Sequence, residues 1–391
     1  MTLLLVLLAG CYALTFAGSP GASAKGMQAV TRSDGICKEL VAPHGFHCEE
    51  FMIQTQDGYL LGLQRVYRKI QKSGRTVILY HGIDNGGDIW LLNPPRQSLA
   101  LMLANRGHEV WIPNTRTSTY SYGHVSLSKD DKMYWDWSLD ELVNYDLPAV
   151  VEQVTAKSAT QKVDFVAYSQ SSQALLGAFS EGKLVDQISK AVMIAPVAYV
   201  SHTTSPIALI ATRFNLGLVL VGLNIYEFNP RSTSGAKILE TLCVTVNICE
   251  SDILSLITGP NCCVDDTRME FINKYELQST SVKNWNHLGQ LFQKKSFTKF
   301  DYGEKENQER YGTKGVPEYV PSRIPTEIPM MLIHGGKDAL ADPDDVHRLL
   351  GELKQTPEKV LFLPHYAHFD FVLGTNASKD VYEGIVNFLE S

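Results

Sequence analysis

The sequence predicts an α/β protein, a mostly parallel sheet flanked by helices, with a helical insertion between the two halves of the sheet. Three observations predict it. Short runs rich in β-branched and aromatic residues alternate with helix-period segments from about residue 76 to 200. That regularity stops near residue 200 and returns from about residue 330 to the end of the chain. Strands that alternate with helices make a parallel sheet covered on both faces.

The elements follow in order. Phe51–Thr55 and Tyr59–Val66 flank Asp57-Gly58 and predict a β-hairpin. Thr76–Tyr80 is a β-rich run expected inside the sheet, and Glu109–Pro113 is a further strand after a helix over Ser98–Arg106. Ser138 and Glu141 form a capping-box pattern for a helix through Tyr145, expected to end before Pro148, with another helix over Ala149–Ala156. Tyr134-Trp-Asp-Trp137 is expected to serve packing. Val163–Tyr168 and Ala191–Ala195 are strands. The apolar run from Pro206 to Tyr226 is long, but Arg213, Asn215 and its glycines argue against a membrane span. The rest of the insertion is expected to be mainly helical. Met330–Ile333 and Val360–Leu363 are strands, and Val346–Leu353 and Val381–Leu389 are helices.

A chain of 391 residues with 44% hydrophobic and 20% charged residues is globular in composition. A net charge of −7 argues against a nucleic-acid partner. The start, MTLLLVLLAGCYALTFAG, is apolar and uncharged, and Ala22-Ser23-Ala24 follows as a small-residue cleavage site. Residues 1–24 are therefore expected to be a secretory signal peptide, with a retained N-terminal anchor as the alternative that the short apolar length disfavours. The remaining regions are expected to be a first core part over 25–200, an insertion over 201–310, and a second core part over 311–391.

Six cysteines remain after the leader: Cys37, Cys48, Cys243, Cys249, Cys262 and Cys263. An even count behind a leader suggests disulfides in an oxidising compartment. Cys37 and Cys48 form a local pair. The partners of the other four stay open, and adjacent Cys262 and Cys263 are expected not to bridge each other. None has C-x-x-C spacing, so zinc is disfavoured, and no cofactor is expected. Asn376-Ala-Ser378 is a glycosylation sequon for a chain in the secretory pathway.

The chemistry centres on Val163-Asp-Phe-Val-Ala-Tyr-Ser169, a strand that turns at Ser169 into a helix of small residues. That is the layout of a nucleophile elbow, although Ala167 and Ser171 occupy the positions of the two glycines in G-x-S-x-G. A serine nucleophile needs a base, and the base needs an acid that fixes its tautomer. Asp338 follows the strand Met330–Ile333, and His368 follows Val360–Leu363, which gives the chain order Ser, Asp, His of α/β-hydrolases. Rivals stand close by: Asp342, Asp344 and Asp345 for the acid, and His365 for the base. Ser169 alone is also a common helix N-cap. Two preset N–H donors are needed for an oxyanion, and the amides of Ile83, after His81-Gly82, and of Gln170 are the candidates.

These residues resemble the acid lipases of the α/β-hydrolase fold, a family of gastric and lysosomal lipases and their plant relatives. The resemblance runs from about Gly35 to the end. It is carried by HG at 81–82, WLLNPPRQSLA at 90–100, VWIPNTR at 110–116, YWDWSLDELVNYDLPAV at 134–150, HGGKDALADPDDV at 334–346 and YAHFDFVLG at 366–374. FSEGKLVD at 179–186 and NCC at 261–263 are most similar to the plant branch. The resemblance implies a nucleophile at Ser169, an acid at Asp338, a base at His368 and oxyanion donors at Ile83 and Gln170. It also implies that residues 201–310 form a cap and lid opening at a lipid surface, with a lipid or acyl-ester substrate. Three departures surround the site: Ala167 and Ser171 at the elbow, polar Asp84-Asn85 where the family is apolar, and Thr117 where it commonly has glycine.

The expectation is therefore a secreted, apoplastic or vacuolar serine ester hydrolase. Two alternatives are a reworked acyltransferase, eliminase or cyclase of specialised metabolism, and a non-catalytic lipid-binding protein.

Overall fold

A computed structural model describes residues 35–69, 74–158, 161–233, 235–236 and 253–391. Residues 1–24, expected to be a leader, and Cys243 and Cys249 lie outside the described residues. The central sheet runs in the order β1 (His47–Gln54), β2 (Tyr59–Tyr67), β4 (Glu109–Pro113), β3 (Thr76–Tyr80), β6 (Val163–Tyr168), β7 (Ile188–Ile194), β10 (Met330–Gly335) and β11 (Lys359–Leu363). A short β5 (Gly123–His124) pairs with β2. The pairs β1–β2 and β2–β4 are antiparallel, and every pair from β4 to β11 is parallel.

The period of two along each interior strand explains why both faces are apolar. Val77, Leu79, Val166, Tyr168, Val192 and Ile194 enter one core layer. Their neighbours Ile78, Tyr80, Phe165, Ala167, Ala191 and Met193 enter the other. A strand buried on both faces must be apolar throughout, and β3, β6 and β10 are buried at every position.

The hairpin, the capping box and the strands stand where the sequence puts them. In the hairpin turn Gly58 has φ 96°, which favours glycine. The amide of Ser138 donates to Glu141 Oε2 at 2.6 Å, completing the box. Tyr134, Trp135 and Trp137 are core residues. The expected break before Pro148 does not occur. Leu139–Glu141 runs through a π-helical turn over Leu142–Asp146 into the helix Leu147–Lys157. The wider turn accommodates the ring of Pro148, which follows it at the start of the helix Leu147–Lys157.

The apolar run after Pro206 folds into two short helices, Pro206–Arg213 and Leu216–Gly222, with Asn215 left-handed between them at φ 48°. Among the described residues no helix is long and apolar enough to cross a membrane. Ile207, Leu216, Leu220, Leu256 and Val282 form a third apolar cluster apart from the two sheet layers. A two-stranded pair, β8 (Glu227–Phe228) with β9 (Thr280–Ser281), interrupts this otherwise mainly helical stretch.

One buried cation ties three elements together. The Arg116 guanidinium, wholly enclosed, meets Asp57 of the hairpin turn at 2.7 Å and Asp146 of the helical run at 2.5 Å. Its plane lies 4.0 Å from the Tyr59 ring centroid. Arg116→Met is expected to strand Asp146 as an unpaired buried charge and to cost about 3–5 kcal/mol. The midpoint of urea unfolding, with the slope unchanged, measures that loss.

Candidate active site

At the carboxyl edge of the sheet, β3, β6, β10 and β11 each end in a loop that carries one candidate group. Ser169 ends β6 with φ 56° and ψ −121°, and the helix Gln170–Ser180 begins on the next residue. This left-handed turn lifts the hydroxyl out of the sheet, and a β-carbon in that conformation is strained by roughly 1–3 kcal/mol. His368 Nε2 lies 2.8 Å from Ser169 Oγ. His368 Nδ1 lies 2.8 Å and 3.0 Å from the two carboxyl oxygens of Asp338. The Asp338 Oδ1 atom also accepts the amides of Leu340 and Ala341 at 2.9 and 2.8 Å, which fixes the carboxylate's direction. All three side chains are buried.

The rivals are used elsewhere. Asp342 caps the helix Pro343–Glu352, Asp345 faces His202, and Asp344 and His365 are exposed.

The elbow tolerates its two departures for separate reasons. Ala167 is paired with Tyr80 of β3 and is fully buried. The Ser171 hydroxyl accepts the Tyr168 amide at 2.8 Å and donates to the Tyr80 carbonyl oxygen at 2.8 Å. It bridges the ends of β3 and β6, where a glycine would leave space. Gly82 allows the opposite wall to close: a β-carbon there would stand 2.8 Å from Ser169 Cβ. Thr117, in a commonly glycine position, has φ 71° and bonds the Ser279 carbonyl oxygen at 3.1 Å.

Among the described residues neither the Ile83 nor the Gln170 amide donates a backbone hydrogen bond, and both residues flank Ser169. The Gln170 side chain exchanges two hydrogen bonds with Asn284, at 2.9 and 3.0 Å. Asn284, Trp285 and Glu276 come from the insertion and carry no sequence pattern that could have singled them out. The same holds for Thr258, whose carbonyl oxygen accepts the amides of His368 and Ala339 at 3.2 and 3.1 Å. That contact pins the two loops bearing His368 and Asp338.

Next to it, Cys262 and Cys263 are bridged, against the sequence expectation. Asp370 accepts both of their amides at 3.0 Å, holding the chain in a tight turn with the two sulfurs side by side. Cys262, Cys263 and Asp370 would otherwise have the composition of a metal site, but the disulfide takes both thiolates. Cys37 and Cys48 are joined as expected. Asn376 sits exposed in a turn.

Behind the Ile83 loop lies a group of buried acids. Burial pushes the Asp84 and Glu276 carboxyls well above the usual range, and Asp88 up to about 7. Glu276 Oε2 accepts the Asn85 amide group at 2.7 Å, and Asp88 accepts the Tyr120 hydroxyl at 3.0 Å. Burial lowers His81 to about 4, so its ring is neutral; Nε2 accepts the Thr115 amide at 3.1 Å and Nδ1 faces the Gly82 carbonyl oxygen.

A cavity of about 600 Å³ opens onto Ser169 and His368 and is roofed by residues of the insertion, among them Ile207, Leu220 and Trp285.

The family model described as a partial alpha/beta-hydrolase lipase region matches residues 37–94. Triacylglycerol lipase 1 of Arabidopsis thaliana is 38% identical over 361 residues, spanning 92% of this chain and 91% of that protein. The chain belongs to the acid lipase family of α/β-hydrolases. By that membership it is a lipase/esterase. Lipase member K of Homo sapiens is 30% identical over 395 residues, with 98% of each chain covered. A soluble variant of the monoglyceride lipase of Saccharomyces cerevisiae shares the fold at TM-score 0.57 and 14% identity, covering 86% of this acid-lipase chain and 94% of its own.

Two outcomes are expected from this geometry. Ser171→Ala removes the hydroxyl that links Tyr168 to Tyr80, at a cost of about 0.5–1.5 kcal/mol in chemical denaturation. A carboxyl whose pKa rises on folding binds its proton more tightly in the folded state. Its contribution is complete below the unfolded value of 3.8 and is lost as pH rises through about 7 for Asp88. His81, lowered on folding, works in the opposite sense: its contribution is complete above 6.5 and is lost as pH falls through about 4. Asp88→Asn keeps a neutral group and is therefore expected to gain stability relative to the parent protein as pH is raised from about 5 to about 8. Melting temperatures of the pair across that range give the difference directly.

Proposed function

We propose that this acid-lipase homologue hydrolyses lipid or other acyl esters through a covalent acyl-enzyme on Ser169. The observation that carries the reading is the continuous hydrogen-bond chain from Ser169 Oγ through His368 to Asp338. Asp338 holds the proton on His368 Nδ1, which leaves Nε2 free to take the serine proton as Oγ attacks the ester carbonyl. The oxyanion that forms is received by the amides of Ile83 and Gln170, a pair worth about 2.7–4 kcal/mol for each donor. His368 then gives its proton to the alkoxide leaving group. Water repeats the sequence on the acyl-enzyme and frees the acid.

The relatives' names, triacylglycerol lipase among them, support a glyceride or related acyl ester as substrate. Residues 201–310 act as the cap over this site. The apolar lining contributed by the helices Pro206–Arg213 and Leu216–Gly222, together with exposed Leu218, suits a lid that contacts a lipid surface. The disulfide Cys37–Cys48 and the exposed Asn376 sequon support a secreted, apoplastic or vacuolar protein.

Treatment with a fluorophosphonate followed by intact mass measurement tests the reading. One adduct on the parent protein and none on Ser169→Ala is the expected result, with esterase activity down about 10⁴–10⁶-fold in the variant. Full activity in Ser169→Ala would refute it.

A further inference from the structure

The cavity wall is mostly apolar, with Ile207, Leu216, Leu220 and Phe228 among its lining residues, but Asp84 lines it together with Ser169 and His368. Asp84 directly follows the proposed oxyanion donor Ile83. Its backbone is left-handed at φ 56°, and its carbonyl oxygen accepts the Gln278 amide at 2.5 Å, so the residue is held from behind. The side chain is buried, and Trp285 Nε1 approaches Oδ1 only at 3.4 Å. Among the described residues no lysine or arginine pairs with it. An apolar side chain would line this wall without the penalty of burying a carboxyl group that has one long hydrogen bond.

We propose that Asp84 is a specificity-determining residue that hydrogen-bonds a hydroxyl carried by the substrate close to its ester, so that hydroxyl-bearing esters are preferred to plain alkyl esters. This rests on the reading of Ser169 as the nucleophile. Burial raises the Asp84 carboxyl well above its usual range. In either protonation state the carboxyl offers an acceptor oxygen to a substrate hydroxyl, and when protonated it offers one O–H donor as well. A site built to bond a hydroxyl discriminates against the analogue that lacks it, because its own polar group is then left unpaired.

The test uses dissolved short esters, so that no lipid surface intervenes. In one arm kcat/KM is compared for glycerol monobutyrate and propyl butyrate, which places the hydroxyl on the alcohol. In the other, methyl 2-hydroxybutyrate is compared with methyl butyrate, which places it on the acyl side. The parent protein is expected to favour the hydroxylated member in one arm by about tenfold to a hundredfold. Asp84→Leu should bring that ratio close to one, and Asp84→Asn should retain part of it. Fluorophosphonate labelling of every sample counts working Ser169 and shows that the variant elbow is intact. A ratio unchanged in Asp84→Leu, or no preference in the parent protein, overturns the inference while labelled Ser169 leaves the nucleophile standing. Absence of labelling in the parent protein removes both. A stronger dependence on Asp84 for butyrylcholine than for either hydroxyl ester would replace the hydroxyl with a cation and also overturn it.

Discussion

A serine held at φ 56° and ψ −121° between a buried strand and a buried helix is the constraint on which the site depends. That conformation is unfavourable for a residue with a β-carbon, and it persists because its surroundings over-determine it. The Ser169 amide donates to Ile194 of β7 at 3.0 Å, and its carbonyl oxygen accepts the Ser172 hydroxyl at 2.5 Å. The Ser171 hydroxyl bonds both Tyr168 and Tyr80. Where a G-x-S-x-G elbow has a glycine so that helix and strand can approach, this chain places a small hydroxyl that bonds both strands. The elbow is altered in composition and kept in geometry.

The second consequence concerns what holds the surrounding loops. The segment Glu276–Asn284 pins the Ile83 loop, through Asn85 to Glu276 and Asp84 to Gln278, and holds the elbow through Gln170 to Asn284. The Asp338 and His368 loops are pinned by Thr258 and by the turn at Cys262 and Cys263. Residues of the insertion therefore do more than roof the cavity: they hold the backbones from which Ser169, Asp338 and His368 project. A shift of about 1 Å in such a group can cost around a hundredfold in rate. Hydrogen bonds thus join these loops to the segments around Thr258 and Glu276–Asn284, and buried acids lie at that junction.

Much of this was legible in advance. The interior strands of the parallel sheet show in the sequence because a strand buried on both faces is largely apolar, as in Thr76–Tyr80 and Met330–Ile333, whereas β11 at the edge is partly exposed and shows as a short β-rich run. The triad candidates were legible because each follows a predicted strand, and strand ends on one edge of a parallel sheet converge. The break expected at Pro148 failed because a π-helical turn, which has no composition signature, absorbed the ring. The bridge between Cys262 and Cys263 was missed because it depends on Asp370, more than a hundred residues along the chain.

By itself, then, the sequence determined the layered sheet, the ordered Ser169, Asp338 and His368, and the hairpin and capping box, since each follows from periodicity or turn chemistry among near neighbours. The tertiary structure alone decided that Ser171 strengthens the elbow, that Asn284 meets Gln170, and that Asp84, Asp88 and Glu276 share one buried region. The Asn85–Glu276 bond spans 191 residues, and no local pattern encodes a contact of that separation. Burial, which sets the proton affinity of those acids, is a property of the packed chain and exists only once the fold has formed.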